Sequence, residues 1–143
     1  MITFQESAMI SAPVEKVFAY IADPDQIPNW RKDVPGISQL SGATGVGTTF
    51  CEEVNFMGKK QLLMKVTEYS PNKKLVIEAQ SGMPLLPTQS FSFSSQGDNT
   101  QIDLTVTMKV SGIFRLMQPL LPKQLKKIWR GYFKALNENL KTN

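Results

Sequence analysis

Two carboxylates stand at positions where such groups are costly to place. Glu6 falls on the apolar phase of the alternating run Ile2, Phe4, Glu6, Ala8, Ile10, and Glu52 on that of Thr48, Phe50, Glu52, Val54, Phe56. A carboxylate turned into an apolar interior loses its hydration, so its pKa rises unless a cation or hydrogen-bond donor meets it. Either residue could anchor the polar end of a ligand or serve as a general acid or base. A β-bulge, or a place on the open rim of a sheet, would instead return the carboxylate to water. Tyr69, Tyr132 and Arg130 are candidate polar partners. The chain has no histidine, which removes imidazole chemistry and makes ordinary zinc or non-haem iron sites hard to build; no metal or other cofactor is expected. Cys51, the single cysteine, excludes an intramolecular disulfide. It lies on the phase opposite Glu52 with nothing to activate it, and reads as an inert thiol.

Length and composition fix what can carry these groups. With 143 residues, 41% hydrophobic and 20% charged, the chain suits one domain spanning residues 1–143. Its longest unbroken apolar stretch, Val17 to Ala22, is far short of the ~20 residues of a spanning helix. The N-terminus has no basic region leading into an apolar one, so a cytoplasmic location is expected. The net charge of +4 is unevenly spread: residues 109–143 hold eight basic side chains and one acid, Glu138. Such a basic C-terminal helix is either an ordinary solvated face or a patch for transient contact with an anionic membrane. Nucleic acid is not expected as a partner, since neither its motifs nor clustered aromatics are present.

The elements follow from periodicity. Ile2 to Ile10 alternates as a strand, and Ser11-Ala12-Pro13 opens a helix striped by Val14, Val17, Phe18 and Ile21. Asp23-Pro24 ends that helix or passes it to a second short one, and the proline-rich stretch to Pro35 contains Trp30. Strands are expected at Gly36 to Leu40, Thr48 to Met57, Lys59 to Tyr69 and Lys74 to Gln80, with a tight turn at Gly58. Met83-Pro84-Leu85-Leu86-Pro87 reads as an interruption before a strand carrying Phe91 and Phe93, and Ile102 to Val110 forms the last strand. Beyond Gly112 the period becomes helical, and Leu125, Ile128, Trp129, Tyr132 and Leu136 are expected to face the sheet. Gly42-x-x-Gly45-x-Gly47 lacks the Lys-Ser/Thr ending of a phosphate loop and precedes a strand, so it reads as a flexible connection able to gate a cavity.

This order is α+β with an antiparallel sheet, and a curved sheet closing on one helix tends to leave a cavity. The expected lining is Phe50, Glu52, Val54, Phe56, Leu62, Met64, Val66, Phe91, Phe93, Met108, Trp129 and Phe133, with Trp30 as a lid over the mouth or a plug beside the first helices.

The sequence also carries a family likeness. Ser11-Ala12-Pro13-Val14-Glu15-Lys16-Val17-Phe18, then Ile21-Ala22-Asp23-Pro24 and Trp30, then Gly45-Val46-Gly47-Thr48, Val66-Thr67-Glu68-Tyr69 and the C-terminal helix closely resemble START-like proteins of the polyketide cyclase/dehydratase and lipid transport group, often called SRPBCC. The resemblance implies a helix-grip fold: a seven-stranded curved antiparallel sheet around a long C-terminal helix, with one or two short helices between the first two strands. It further implies an internal cavity for a hydrophobic or amphipathic small molecule. Fold does not select among the superfamily's functions. The leading expectation is a binder or carrier of a lipid, quinone or polyketide-like aromatic. A cyclase/dehydratase acting through Glu52 is its rival, and a protein-interaction module resembling the chaperone activators is a third class. The lack of histidine and of an acid–base constellation weighs against the enzyme.

Overall fold

Seven strands form one antiparallel sheet in the computed structural model, which describes residues 1–117 and 121–141. They are β1 (Ile2–Ile10), β2 (Gly36–Ser41), β3 (Thr49–Asn55), β4 (Lys59–Ser70), β5 (Lys74–Ser81), β6 (Leu85–Gln96) and β7 (Asn99–Val110). Their spatial order is β1-β7-β6-β5-β4-β3-β2, so β1 and β2, joined in sequence, lie at opposite edges. The chain crosses between those edges through α1 (Val14–Ala22), a 3-10 turn (Pro24–Gln26) and α2 (Ile27–Trp30). After β7 come a 3-10 segment (Gly112–Met117) and the long helix α3 (Leu121–Leu140), around which the open sheet curves. This is the helix-grip fold the family likeness implies.

Alternation builds the layers. Along β7 every second residue from Thr100 to Val110 is buried, and Thr100 uses its hydroxyl to donate to the Ala12 carbonyl oxygen, fixing the entry to α1. Phe18 of α1 packs edge-on against Tyr69 and Phe93. Trp129 and Leu136 of α3 are buried as expected of that stripe, Phe133 and Leu140 are buried with them, and Leu125 and Tyr132 are half-buried. Ile128 departs from it: 44% of its surface is exposed, and it borders a cavity instead of packing in the core.

The two ends of α3 are held differently. At its C-terminal end Lys16 donates to the Leu140 carbonyl, Asn137 accepts from the Ser11 amide, and Asn139 donates to the Asn29 carbonyl. These contacts tie the last turns to α1 and α2, and satisfy carbonyl groups that a helix end leaves open. In the first half Arg130 reaches β1, where its Nε donates to Glu6 Oε1. Pro119, expected at the entry to this helix, lies outside the described residues.

The expected interruption at Met83 to Pro87 is corrected: β6 starts at Leu85 and runs through Pro87. Proline is tolerated there because β5 pairs with β6 only as far as Glu78 opposite Thr88. Beyond that point Leu85, Leu86 and Pro87 pair with β7 alone, so the missing N–H is not needed on the other side. Past Glu78, β5 stays with β4, where Ala79 lies opposite Met64 and Ser81 opposite Leu63. Gly82 (φ +127°) then passes so close to β4 that a Cβ would collide with the Gln61 carbonyl oxygen, a position only glycine can fill. The sheet thus parts between β5 and β6 at one end.

Candidate functional site

The parted sheet, β3 and the first half of α3 enclose a cavity of about 250 Å³. Its apolar wall is made by Val54, Phe56, Leu62, Met83, Met108 and Trp129, with Leu125 and Ile128 at the helix side. Its polar groups are few: Glu52, Arg31, Asp33, Gln89, Asn55 and Tyr132.

Glu52 is 1% exposed and lies opposite Leu62 in a regular stretch of the β3–β4 ladder, so its inward phase is real and no bulge intervenes. Arg31 meets it. The turn that ends α2 directs Arg31, itself buried, so that Nη1 donates to Glu52 Oε2 at 3.3 Å and Nη2 donates to Asp33 Oδ2 at 3.3 Å. The guanidinium also lies over two aromatic faces, 5.1 Å from the Trp129 ring centroid and 5.4 Å from that of Tyr132. One cation is therefore shared by two carboxylates and two rings.

Burial pushes the Glu52 carboxyl above its ordinary range; Arg31 opposes this and Asp33 adds to it, and burial prevails. Burial also works against the Arg31 charge, but Glu52 first and Asp33 second more than compensate and hold it protonated. The Tyr132 phenol is pushed well up, by burial first and then by its hydrogen bond to Asp33 and that group's negative charge. Glu52 Oε1 and Arg31 Nε are buried without a hydrogen-bond partner among the described residues. An unpartnered carboxylate oxygen on an otherwise apolar cavity is an open valence for a ligand.

Stability should record this. A carboxyl raised on folding contributes most below its unfolded pKa of about 4.3, and that contribution is lost as pH rises through the raised value. Glu52→Gln removes the titration, so its stability relative to the parent is expected to improve as pH rises from about 4.3 toward neutrality. Urea unfolding of both proteins across that range tests it, and a pH-independent difference would refute the raised Glu52.

The expected lining residues divide. Glu52, Val54, Phe56, Leu62, Met108 and Trp129 come together on the cavity. Phe50, Met64, Phe91, Phe93 and Phe133 are placed in the packed core, and Val66 borders a separate hollow beneath the β2–β3 connection. That hollow, and not the cavity at Glu52, is where Gly42 and Gly45 lie. Trp30 is buried between α2 and α3, its ring 6.0 Å from Trp129 and stacked 6.5 Å from Phe133. Glu6 is half-buried and receives Arg130 Nε from α3 at 3.2 Å, away from the cavity. Tyr69 packs against Phe18, and Cys51 is buried with its thiol free. No group of three or more potential metal ligands occurs among the described residues.

Of the cavity's polar groups, sequence reasoning missed Arg31, Asp33, Asn55 and Gln89. The signal for Arg31 was indirect: a buried carboxylate demands a cation, but nothing in the spacing chooses among sixteen lysines and arginines.

Comparison with known proteins adds to this geometry. The family described as polyketide cyclase / dehydrase and lipid transport matches residues 1–143. Among solved structures, a START superfamily protein from Mycobacterium smegmatis superposes with a TM-score of 0.77 at 18% identity, covering 96% of each chain. The Zhui aromatase/cyclase from Streptomyces sp. R1128 gives 0.78 at 11% identity, over 96% of this chain and 92% of that one. Protein CV1439 from Chromobacterium violaceum gives 0.76 at 15% identity, over 99% and 98%. Among curated proteins, none matches the sequence.

Proposed function

The chain belongs to the polyketide cyclase/dehydrase and lipid transport family, and from that premise we propose that it binds a compact amphipathic molecule whose polar end meets Glu52. The observation that carries this reading is the unpartnered, fully buried Glu52 Oε1 on a largely apolar cavity. At about 250 Å³ the space lies just below the roughly 300–1,000 Å³ of most small-molecule sites. A fused ring or quinone-like body suits it better than a two-chain lipid. Exchange of such a ligand with a lipid phase is supported by the excess of basic side chains beyond position 108.

Glu52 gives the site a selectable polarity. Ionised, Oε1 accepts a hydrogen bond from a ligand hydroxyl; protonated, it donates to a ligand carbonyl. Its raised pKa brings that exchange closer to neutral pH. Glu52→Gln can leave its amide oxygen on Arg31 and present a fixed NH₂ donor instead. The variant is expected to lose about fivefold or more in affinity for a naphthol while keeping or gaining affinity for the matching naphthaldehyde. Fluorescence titration at neutral pH reads both. An unchanged ratio would reject the role of Glu52, and no binding of either compound to the parent would reject the cavity reading.

A second reading is supported by the same carboxyl. A raised glutamate beside a fixed cation and the Tyr132 phenol suits acid–base steps such as dehydration or ring closure.

A further inference from the structure

The three most exposed large apolar side chains among the described residues stand on two elements that meet at Phe56, a residue of the cavity wall. Met57, at the tip of the β3–β4 turn, is 78% exposed, and Ile113 and Leu116 on the 3-10 segment are 74% and 85% exposed. The two elements touch: the Phe56 ring lies 5.4 Å from that of Phe114. Phe56 also lines the cavity, so the exposed group begins one residue from its wall.

The turn chemistry there is unfavourable for a free surface. Met57 has φ 52° and Gly58 φ 104°, a pair of left-handed positions for which Asn-Gly is the relaxed choice. A methionine thus accepts a strained backbone and leaves most of its side chain in solvent. Between positions 54 and 60, and between 104 and 137, every charged side chain is basic. Lys59 and Lys60 follow the tip, and Arg115 stands between Ile113 and Leu116. Lys123 and Lys127 lie exposed on the first turns of α3, and no acid occurs between Asp103 and Glu138. Glu53 on β3 is the acid nearest the tip in sequence, and Asp33 at the cavity is already engaged by Arg31.

We propose that this end of the molecule docks on an anionic lipid bilayer, with Met57, Ile113 and Leu116 entering between acyl chains and the flanking lysines and arginines resting at the headgroups. Three separate apolar tips among cations suit a soft, negatively charged surface. Among the described residues these tips are interleaved with cations, Lys59 after Met57 and Arg115 between Ile113 and Leu116, which suits a lipid surface better than the apolar centre of a protein interface, and the shared positive charge opposes a second copy of the chain. The docking places the cavity mouth against the lipid, so that an apolar ligand enters and leaves without crossing water; this functional sense rests on the cavity reading above.

Co-sedimentation with vesicles tests the proposal. Binding to phosphatidylcholine vesicles containing about one-third phosphatidylglycerol is expected to exceed binding to phosphatidylcholine alone by roughly tenfold, and to weaken with salt. Met57→Asp/Leu116→Asp is expected to lower it by about tenfold or more, and Lys59→Glu/Arg115→Glu to abolish the preference for the anionic lipid. Neither residue pair lines the cavity, so naphthol binding in the absence of vesicles should stay at the parent level, which also shows that the variants are folded. Equal binding to both vesicle types, undiminished binding of Met57→Asp/Leu116→Asp, or tighter binding to duplex DNA than to the anionic vesicles would overturn it. A parent that binds anionic vesicles but no naphthol would reject the cavity reading and leave the docking surface standing.

Discussion

Replacing Arg31 with methionine is expected to lower the unfolding free energy by about 3–5 kcal/mol, the cost typical of breaking a buried ion pair from one side. Methionine fills much of the same space, so the loss is chiefly electrostatic. Glu52, 1% exposed, is left with neither oxygen paired, and it escapes only by taking up a proton. The Trp129 and Tyr132 faces lose the cation above them as well. Asp33 contributes little to the penalty, because its side chain is about half exposed and can turn to water. Removing both partners, Arg31→Met with Glu52→Leu, should recover at least about 2 kcal/mol of the loss, since an apolar pair needs no solvation. Urea unfolding of the two single variants and the double closes the cycle. A single-variant cost below about 1 kcal/mol, or strict additivity, would mean that the pair is not the buried, interdependent unit described here.

That interdependence also marks what the sequence could disclose. The strands of β1, β4 and β7 and the stripe of α3 were legible because each buries one face, and a period of two or 3.6 is a direct record of that burial. Glu52 was legible for the same reason: it breaks a pattern that its neighbours Phe50 and Val54 keep. Arg31 was not, because its position depends on how the turn after α2 crosses beneath α3, and no local periodicity encodes a contact 21 residues distant. Pro87 misled for a related reason. Proline argues against a paired strand, but β6 at that point is paired on one side only, a fact of the sheet and not of the segment. The lining followed the same division. Inward phase identifies residues on the concave face, yet whether Phe50 or Met64 packs in the core or Val54 and Met108 border a space depends on where the sheet parts.

Trp129 is where core and cavity meet, and Trp129→Ala should be as damaging as any change in the chain, costing about 3–5 kcal/mol. The indole touches Tyr132 at 5.1 Å, Phe133 at 5.8 Å, and Trp30 and Phe91 at 6.0 Å between ring centroids, and it carries Arg31 on its face. Those rings come from α2, β6 and α3 itself. They are anchored independently, α3 by its clamped C-terminal turns, so the vacated volume should persist and join the existing cavity instead of collapsing. Alanine is favourable in a helix, so the loss cannot be assigned to α3 unwinding. A persistent hole of this shape should accept free indole. Binding to the folded state alone stabilises by RT ln(1 + [L]/Kd), about 1.4 kcal/mol at tenfold excess over Kd. Thermal unfolding of Trp129→Ala should therefore shift upward with added indole, while the parent, whose space there is already filled, shifts less. A variant as destabilised as expected but indifferent to indole would mean that the surrounding rings have closed in, and that the cavity at Glu52 is held open by Trp129 and not by the parting of β5 from β6.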